Sequence, residues 1–211
     1  MRVTEVAYLS VGGRKGMDLE VRDRGWDIEG VRSLEVRWIF AGRPATAVAE
    51  WFERFPSQAV TVEDAYLVDP HMPGLSVKIR DRRALEIKRY HGSPGLLEIP
   101  GRARGRLECW QKWSFPSTPL SQGSDDPAGW RTVRKRRRIS RLPGCAVELT
   151  EFHVLGEDWW TLGFEATGPA DALPGHLEEA AALVFSQAMP DRLELSVDDS
   201  MSFAQWLRSR Y

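Results

Sequence analysis

Residues 75–90 read LSVKIRDRRALEIKRY, and their alternation restricts the fold more than any other stretch of the 211-residue chain. Leu75, Val77 and Ile79 fall on one face of an extended segment, and Ser76, Lys78 and Arg80 on the other. After a charged turn at 81–83, Leu85 and Ile87 oppose Glu86 and Lys88. A period of two dictates strands with one face on apolar material and the other on something polar. That polar face meets either bulk water or an anion held inside a barrel.

The same alternation recurs along the chain. At 33–40, Leu34, Val36 and Trp38 oppose Ser33, Glu35 and Arg37. At 106–114, Arg106, Glu108, Trp110 and Lys112 oppose Leu107, Cys109, Gln111 and Trp113. At 159–167, Trp160, Leu162, Phe164 and Ala166 oppose Trp159, Thr161, Gly163 and Glu165. Further strands are predicted at 62–68, 130–141 and 145–154. Helical spacing is confined to 44–55, where Ala47, Val48, Trp51, Phe52 and Phe55 repeat between Pro44 and Pro56, and to two closing helices. These are 174–189 and a shorter one running from a Ser200 cap through Phe203, Trp206 and Leu207. Gly and Pro mark 91–104 as a connection, and 116–129 reads as a polar loop with a disordered tip. The sum is a mainly β (α+β) chain. It reads as an antiparallel barrel of about eight strands with helices packed outside, an ordinary sandwich being the plainer alternative. The barrel domain spans 33–211. Residues 1–32, interrupted by Gly12-Gly13, Gly16 and Gly25, form an N-terminal extension with no assigned role.

With all apolar faces pointing one way, the polar faces pool eight bases (Arg37, Lys78, Arg80, Lys88, Arg106, Lys112, Lys135 and Arg137) against five acids (Glu35, Glu86, Glu108, Glu148 and Glu165). On an open sheet these would be a solvated face. The aromatics Trp38, Trp113, Trp160 and Phe164 load the opposite face, however. That puts the covering helices outside and the charges inside a closed barrel, whose interior at eight strands holds side chains or one small ligand. Enclosed charges are costly unless paired, so a surplus of bases requires a polyanionic partner. Phosphate matches the Arg fork and the Lys point charge. Carboxylates beside it suit a hard divalent ion, Mg²⁺ or Mn²⁺, bridging to phosphate oxygens.

Other functions fit less well. The net charge of −1 gives no global attraction to nucleic acid or membrane. Seven bases crowd 131–141, but Val133 and Ile139 are in phase with Lys135 and Arg137, which fits a cavity wall better than a nucleic-acid patch. Salt-sensitive binding of an RNA 5′-triphosphate would reconcile the two. No apolar run approaches the ~18 residues of a membrane span, and no signal peptide is recognisable, so a soluble cytoplasmic protein is expected. Cys109 and Cys145 read as buried free thiols, and His71, His91, His153 and His176 lack zinc-ligand spacing.

In order, Ser33-x-Glu35-x-Arg37, Asp64-Ala65-Tyr66-Leu67, Lys78-x-Arg80, Lys88, Arg106-x-Glu108, Lys135-x-Arg137 and Gly163-x-Glu165 resemble the CYTH superfamily. These triphosphate tunnel metalloenzymes include class IV adenylyl cyclases, thiamine triphosphatases and inorganic triphosphatases. The likeness spans 33–167. Its pattern is E-x-E-x-K on the first strand, then D-x-Y, R-x-R, K, R-x-E, K-x-R and a late acidic strand. This chain has Ser33 for the first Glu, Arg37 for Lys, and one late acid, Glu165. The resemblance implies a tunnel in which Arg37, Lys78, Arg80, Lys88, Arg106, Lys135 and Arg137 hold a triphosphate while Glu35, Glu108 and Glu165 hold the metal. Glu148, facing in from the penultimate strand, is assigned to placing the attacking water or a second ion. The implied activity is metal-dependent hydrolysis of inorganic, nucleoside or thiamine triphosphate, carried by positioning and charge neutralisation. The alternative is a non-catalytic tunnel that binds a phosphorylated or polyanionic ligand.

Overall fold

The computed structural model describes residues 30–116, 129–191 and 193–211. The alternating segments become β1 (Val31–Ala41), β2 (Gln58–Leu67), β3 (Leu75–Arg80), β4 (Ala84–Ile99), β5 (Ala103–Pro116), β6 (Trp130–Leu142), β7 (Cys145–Val154) and β8 (Glu157–Thr167). All neighbours are antiparallel, and the order β1-β5-β4-β3-β2-β6-β7-β8 closes into a barrel. Two meanders, β2 to β5 and β6 to β8, join through β2 against β6. β1 clasps the free strand of each, so that Glu35 lies opposite both Glu108 of β5 and Glu165 of β8.

The faces sort as the alternation predicts. Leu34, Val36 and Trp38 of β1 join the main apolar core on the outside of the wall, while Glu35 and Arg37 line the interior. Two helices cover this outer face, α1 (Thr46–Phe52) with Val48, Trp51 and Phe52, and α2 (Leu173–Ser186) with Leu177, Ala181, Val184 and Phe185. Trp38 is fully buried, edge-on to Phe164 and Phe185 at 6.4 and 6.5 Å, and its indole N–H donates to the Arg104 carbonyl at 3.0 Å. At about 1.5–3 kcal/mol per fully buried Leu or Phe side chain, this layer is the main apolar stabilisation of the wall.

Four boundaries depart from the sequence reading. Residues 91–104 are mostly strand, because β4 and β5 run on as one long hairpin with register shifts at Tyr90/Gly92 and Gly92/Gly95. The glycines that signal a loop are irregularities within a strand, with Gly92 at φ 114° and Gly95 at φ 141°. Past them the hairpin lies on the outer core, burying Leu97 and Ala103. α1 is shorter than 44–55, with Phe55 reaching the core from the turn beyond it, and α2 ends at Ser186 rather than 189. The last helix, α3 (Phe203–Arg208), is capped by Ser202, whose hydroxyl accepts the Gln205 N–H at 3.2 Å. Ser200 instead accepts the Arg106 N–H at 2.8 Å. Apart from 30–32, the N-terminal extension lies outside the described residues, as does the loop at 117–128.

The chain reaches α3 through a seam in the wall. β1 and β5 pair only where Val31–Glu35 meet Glu108–Lys112. Farther along β1, Trp38 bridges to Ser200, while Ala103 of β5 bridges to Leu195, so this connecting segment takes the place of direct pairing. α3 then closes that end of the barrel, with Trp206 and Leu207 buried among Ile39, Tyr66, Val133, Phe152 and Val154. Arg208 fastens it by donating to the carbonyls of Leu75 and Pro73.

Candidate functional site: a basic cavity in the barrel

Against that floor lies a cavity of about 310 Å³, within the size range of small-molecule pockets. Eight bases line it (Arg37, Lys78, Arg80, Lys88, Lys112, Lys135, Arg137 and Arg141) with five acids (Glu35, Asp64, Glu86, Glu148 and Glu165). They converge because each strand turns every second side chain inward and closure leaves those faces nowhere else to point.

Nearest the floor, Asp64 is 1 % exposed, accepts from Lys78 at 3.1 Å and lies 3.4 Å from the Lys135 ammonium. Lys135 sits 4.5 and 4.1 Å from the ring centroids of Tyr66 and Phe203 and donates to the Tyr66 hydroxyl. Burial pushes both ammonium groups below the ordinary lysine range. Burial also raises Asp64, but Lys135, Lys78 and Arg80 outweigh it and hold its carboxyl at about 2. Beside them Glu86 meets Lys78 at 3.3 Å and Arg80 at 3.2 Å. Asp64 Oδ1 and Arg80 Nε are buried in the cavity wall with no hydrogen-bond partner among the described residues, an arrangement suited to a polar guest or water.

On the other side Glu148 accepts from Arg137 and from the Thr150 hydroxyl, with Arg37 4.0 Å away. Burial favours its protonated form, yet Arg137 and Arg37 keep it ionised, well below the carboxylate range. Arg37 donates to Thr161 at 2.9 Å, in space that Gly163 leaves open: a Cβ there would stand 3.2 Å from the guanidinium carbon. Lys88 donates to Glu35 at 2.7 Å and to Glu165 at 3.4 Å, and the Ser33 hydroxyl donates to the same Glu35 oxygen at 2.7 Å. Burial alone would lower Lys88, but Glu165 and Glu35 raise it above the lysine range. Lys88 in turn is the main cause that holds Glu165 at about 2. Every carboxylate in the cavity therefore has a base. Lys112 and Arg141 have no ion pair among the described residues.

No protein-family model matches the chain, and no curated protein matches its sequence. Solved structures do align with it. A conserved hypothetical protein from Pyrococcus furiosus is 15% identical, with 81% of this chain and 98% of that one covered and a TM-score of 0.46. The S. pombe Pct1 RNA triphosphatase, in complex with the Spt5 CTD, is 12% identical over 75% of this chain and 84% of its own, with a TM-score of 0.45. The Mimivirus capping enzyme triphosphatase is 10% identical over 73% and 89%, with a TM-score of 0.44. Likenesses this distant do not bear on what this chain binds.

Nine of the predicted site residues meet in the cavity: Glu35, Arg37, Lys78, Arg80, Lys88, Lys135, Arg137, Glu148 and Glu165. Two do not line it. Arg106 is exposed, and its backbone is bound by Ser200 at the seam. Glu108 is buried and accepts from the Trp110 indole at 2.9 Å and the Ser202 N–H at 3.2 Å, so it anchors the floor, and burial raises its pKa. Sequence reasoning assigns no ligand-holding role to Asp64, Tyr66 or Arg141, and Lys112 enters only through the pooled polar faces. Lys112 and Arg141 are in phase with identified residues, whereas Asp64 and Tyr66 lie on β2, where none is identified. Arg141, for one, follows Lys135, Arg137 and Ile139 at intervals of two.

The donor set does not fit a protein-held Mg²⁺ or Mn²⁺. Among the described residues no three of His, Cys, Asp and Glu group as metal ligands. Glu35 and Glu165 share an ammonium, Glu108 belongs to the floor, and Ser33, in phase with Glu35 on β1, donates to that carboxylate rather than offering another. On the outer face of β6, Arg134 pairs with Glu63 at 3.0 Å, and Arg138 with Glu53 and Glu151 at 3.3 and 3.5 Å, which neutralises part of the basic run. No described helix is long and apolar enough to cross a membrane.

Proposed function

We propose that the protein binds a triphosphate-bearing small molecule (inorganic triphosphate, a nucleoside triphosphate or thiamine triphosphate) in the barrel cavity. One observation carries this reading: eight bases face five carboxylates, and all five are already engaged, so the unmet charge is positive. A linear triphosphate presents several anionic oxygens along one axis and matches bases spread over the wall, with Arg37, Arg80 and Arg137 as forks and Lys112 as a point charge. Arg141, exposed at its end of β6, meets the ligand's outer part. Tripolyphosphate at a hundred times its Kd adds about 2.7 kcal/mol to stability, a melting rise of roughly 5–10 °C for a chain of this size. The rise shrinks with added salt and is much smaller with monophosphate. If tripolyphosphate leaves the melting temperature unchanged at low salt, the reading fails.

A second reading, hydrolysis of the bound triphosphate with Mg²⁺ or Mn²⁺ carried in on the phosphate oxygens rather than held by the protein, is favoured by Glu35, Glu148 and Glu165 lining the same cavity as the bases. Glu148 would then orient the attacking water without taking its proton, since Arg137 holds its proton affinity too low. Phosphate release from tripolyphosphate or nucleoside triphosphates with either ion, abolished in Glu35→Ala, is the test.

A further inference from the structure

We propose that Lys88 is the cavity's built-in counter-cation, standing between Glu35 and Glu165 where a divalent ion would stand, so that the barrel takes up its triphosphate without a metal. The inference rests on the anion-binding reading above and adds how the carboxylates are neutralised.

Geometry carries it. The Lys88 ammonium reaches one oxygen of Glu35 at 2.7 Å and one of Glu165 at 3.4 Å, bridging β1 and β8 from β4. The Glu35 oxygen that Lys88 holds also takes the Ser33 hydroxyl at 2.7 Å, so its hydrogen-bonding capacity is directed to the protein. Ser33 is buried and points a donor where a metal needs another acceptor. Glu108, directly opposite Glu35, is withheld by Trp110 and Ser202. An entering Mg²⁺ would have to expel an ammonium and would gain two carboxylates, whereas the ion prefers near-octahedral oxygen coordination and gives up water reluctantly. On β5, Lys112 lies directly opposite Lys88 and adds to the positive field over Glu165. A second positive ion is repelled there, while a phosphate is attracted. The role of charge neutraliser that a metal plays toward phosphate oxygens then falls to fixed side chains, with Lys88 leaving the carboxylates satisfied.

Replacing Lys88 by Met removes the ammonium and keeps most of the stem. Glu35 and Glu165 are then left as a carboxylate pair with nothing between them, and a divalent ion becomes their neutraliser. The experiment has three parts: tripolyphosphate melting shifts in EDTA and in Mg²⁺, and Mn²⁺ titration of wild type, Lys88→Met and Lys88→Arg without phosphate, followed by the EPR signal of free Mn²⁺. The expected result is a full tripolyphosphate shift in EDTA, no Mn²⁺ uptake by wild type or Lys88→Arg, and Mn²⁺ binding at least tenfold tighter in Lys88→Met. A tripolyphosphate shift that appears only with Mg²⁺, or stoichiometric Mn²⁺ uptake by wild type, overturns the inference and leaves anion binding standing. Absence of a shift in both media overturns it by removing the anion-binding reading beneath it. Should Lys88→Met fail to fold, the wild-type measurements and Lys88→Arg still decide.

Discussion

Among the described residues Asp64 is the only carboxylate within ion-pair distance of Lys135, whereas Lys78 has Glu86 as well. Asp64→Asn keeps the shape and removes the charge, leaving Lys135 buried between two rings with no counter-ion. Removing one partner of a buried pair costs about 3–5 kcal/mol. The lysine can instead shed its proton, which from an ordinary pKa near 10.4 costs roughly 4.6 kcal/mol at pH 7. The two routes bound the loss at the same size, a melting decrease of about 6–20 °C. Urea denaturation at pH 7, with an unchanged slope, reads it directly. The pH dependence adds a second check. Burial already lowers the folded pKa of Lys135 in wild type, and losing Asp64 lowers it further, so the variant's stability rises with pH more steeply than that of wild type. The gap to wild type therefore narrows toward pH 10. A loss under about 1 kcal/mol, or a gap indifferent to pH, would refute the claim that these charges form a dry, mutually dependent cluster.

Wild-type stability should fall in acid between about pH 4.5 and 2. Asp64 and Glu165 have folded pKa values below their unfolded ones, so their contribution is complete above that window and is lost as pH drops to about 2, roughly 2 kcal/mol for Asp64 alone. A flat acid limb in a pH series of denaturation curves would contradict this. Gly105→Ala places a Cβ 2.5 Å from the Trp38 ring and 2.6 Å from Val36, and should cost about 1–3 kcal/mol by overpacking, measured by chemical denaturation with tripolyphosphate affinity unchanged. Trp206→Ala should cost about 3–5 kcal/mol and also weaken tripolyphosphate binding, because the floor of the cavity loses its backing. A variant equally destabilised but with intact affinity would detach α3 from the site.

Much of the wall was legible because alternation reports which face a side chain takes. Glu35 with Arg37 and Lys78 with Arg80 follow from parity alone. Parity does not report depth along the barrel, and there the reading erred. Arg106 and Glu108 share a face with Lys112, yet Arg106 stands at the seam and Glu108 against the floor, because the segment from Leu195 to Ser200 enters between β1 and β5. No local signal announces that insertion, which depends on partners nearly a hundred residues apart, 94 between Arg106 and Ser200. Gly92 and Gly95 misled for a different reason, since the same residues that break a strand also let it bend. The identity of the helix cap turned on two serines two positions apart, and only the donor each hydroxyl meets separates Ser202 from Ser200.

β1 emerges from the ribosome before the other described strands, yet 124 residues separate Arg37 from the Thr161 it binds in the finished barrel. The meander from β2 to β5 can pair while β1 waits as an open edge, because closure over so long a loop comes late. The charged interior then exists only after β8 has docked. A polyanion bound there, as proposed, should therefore retard unfolding while leaving the rate of early collapse untouched.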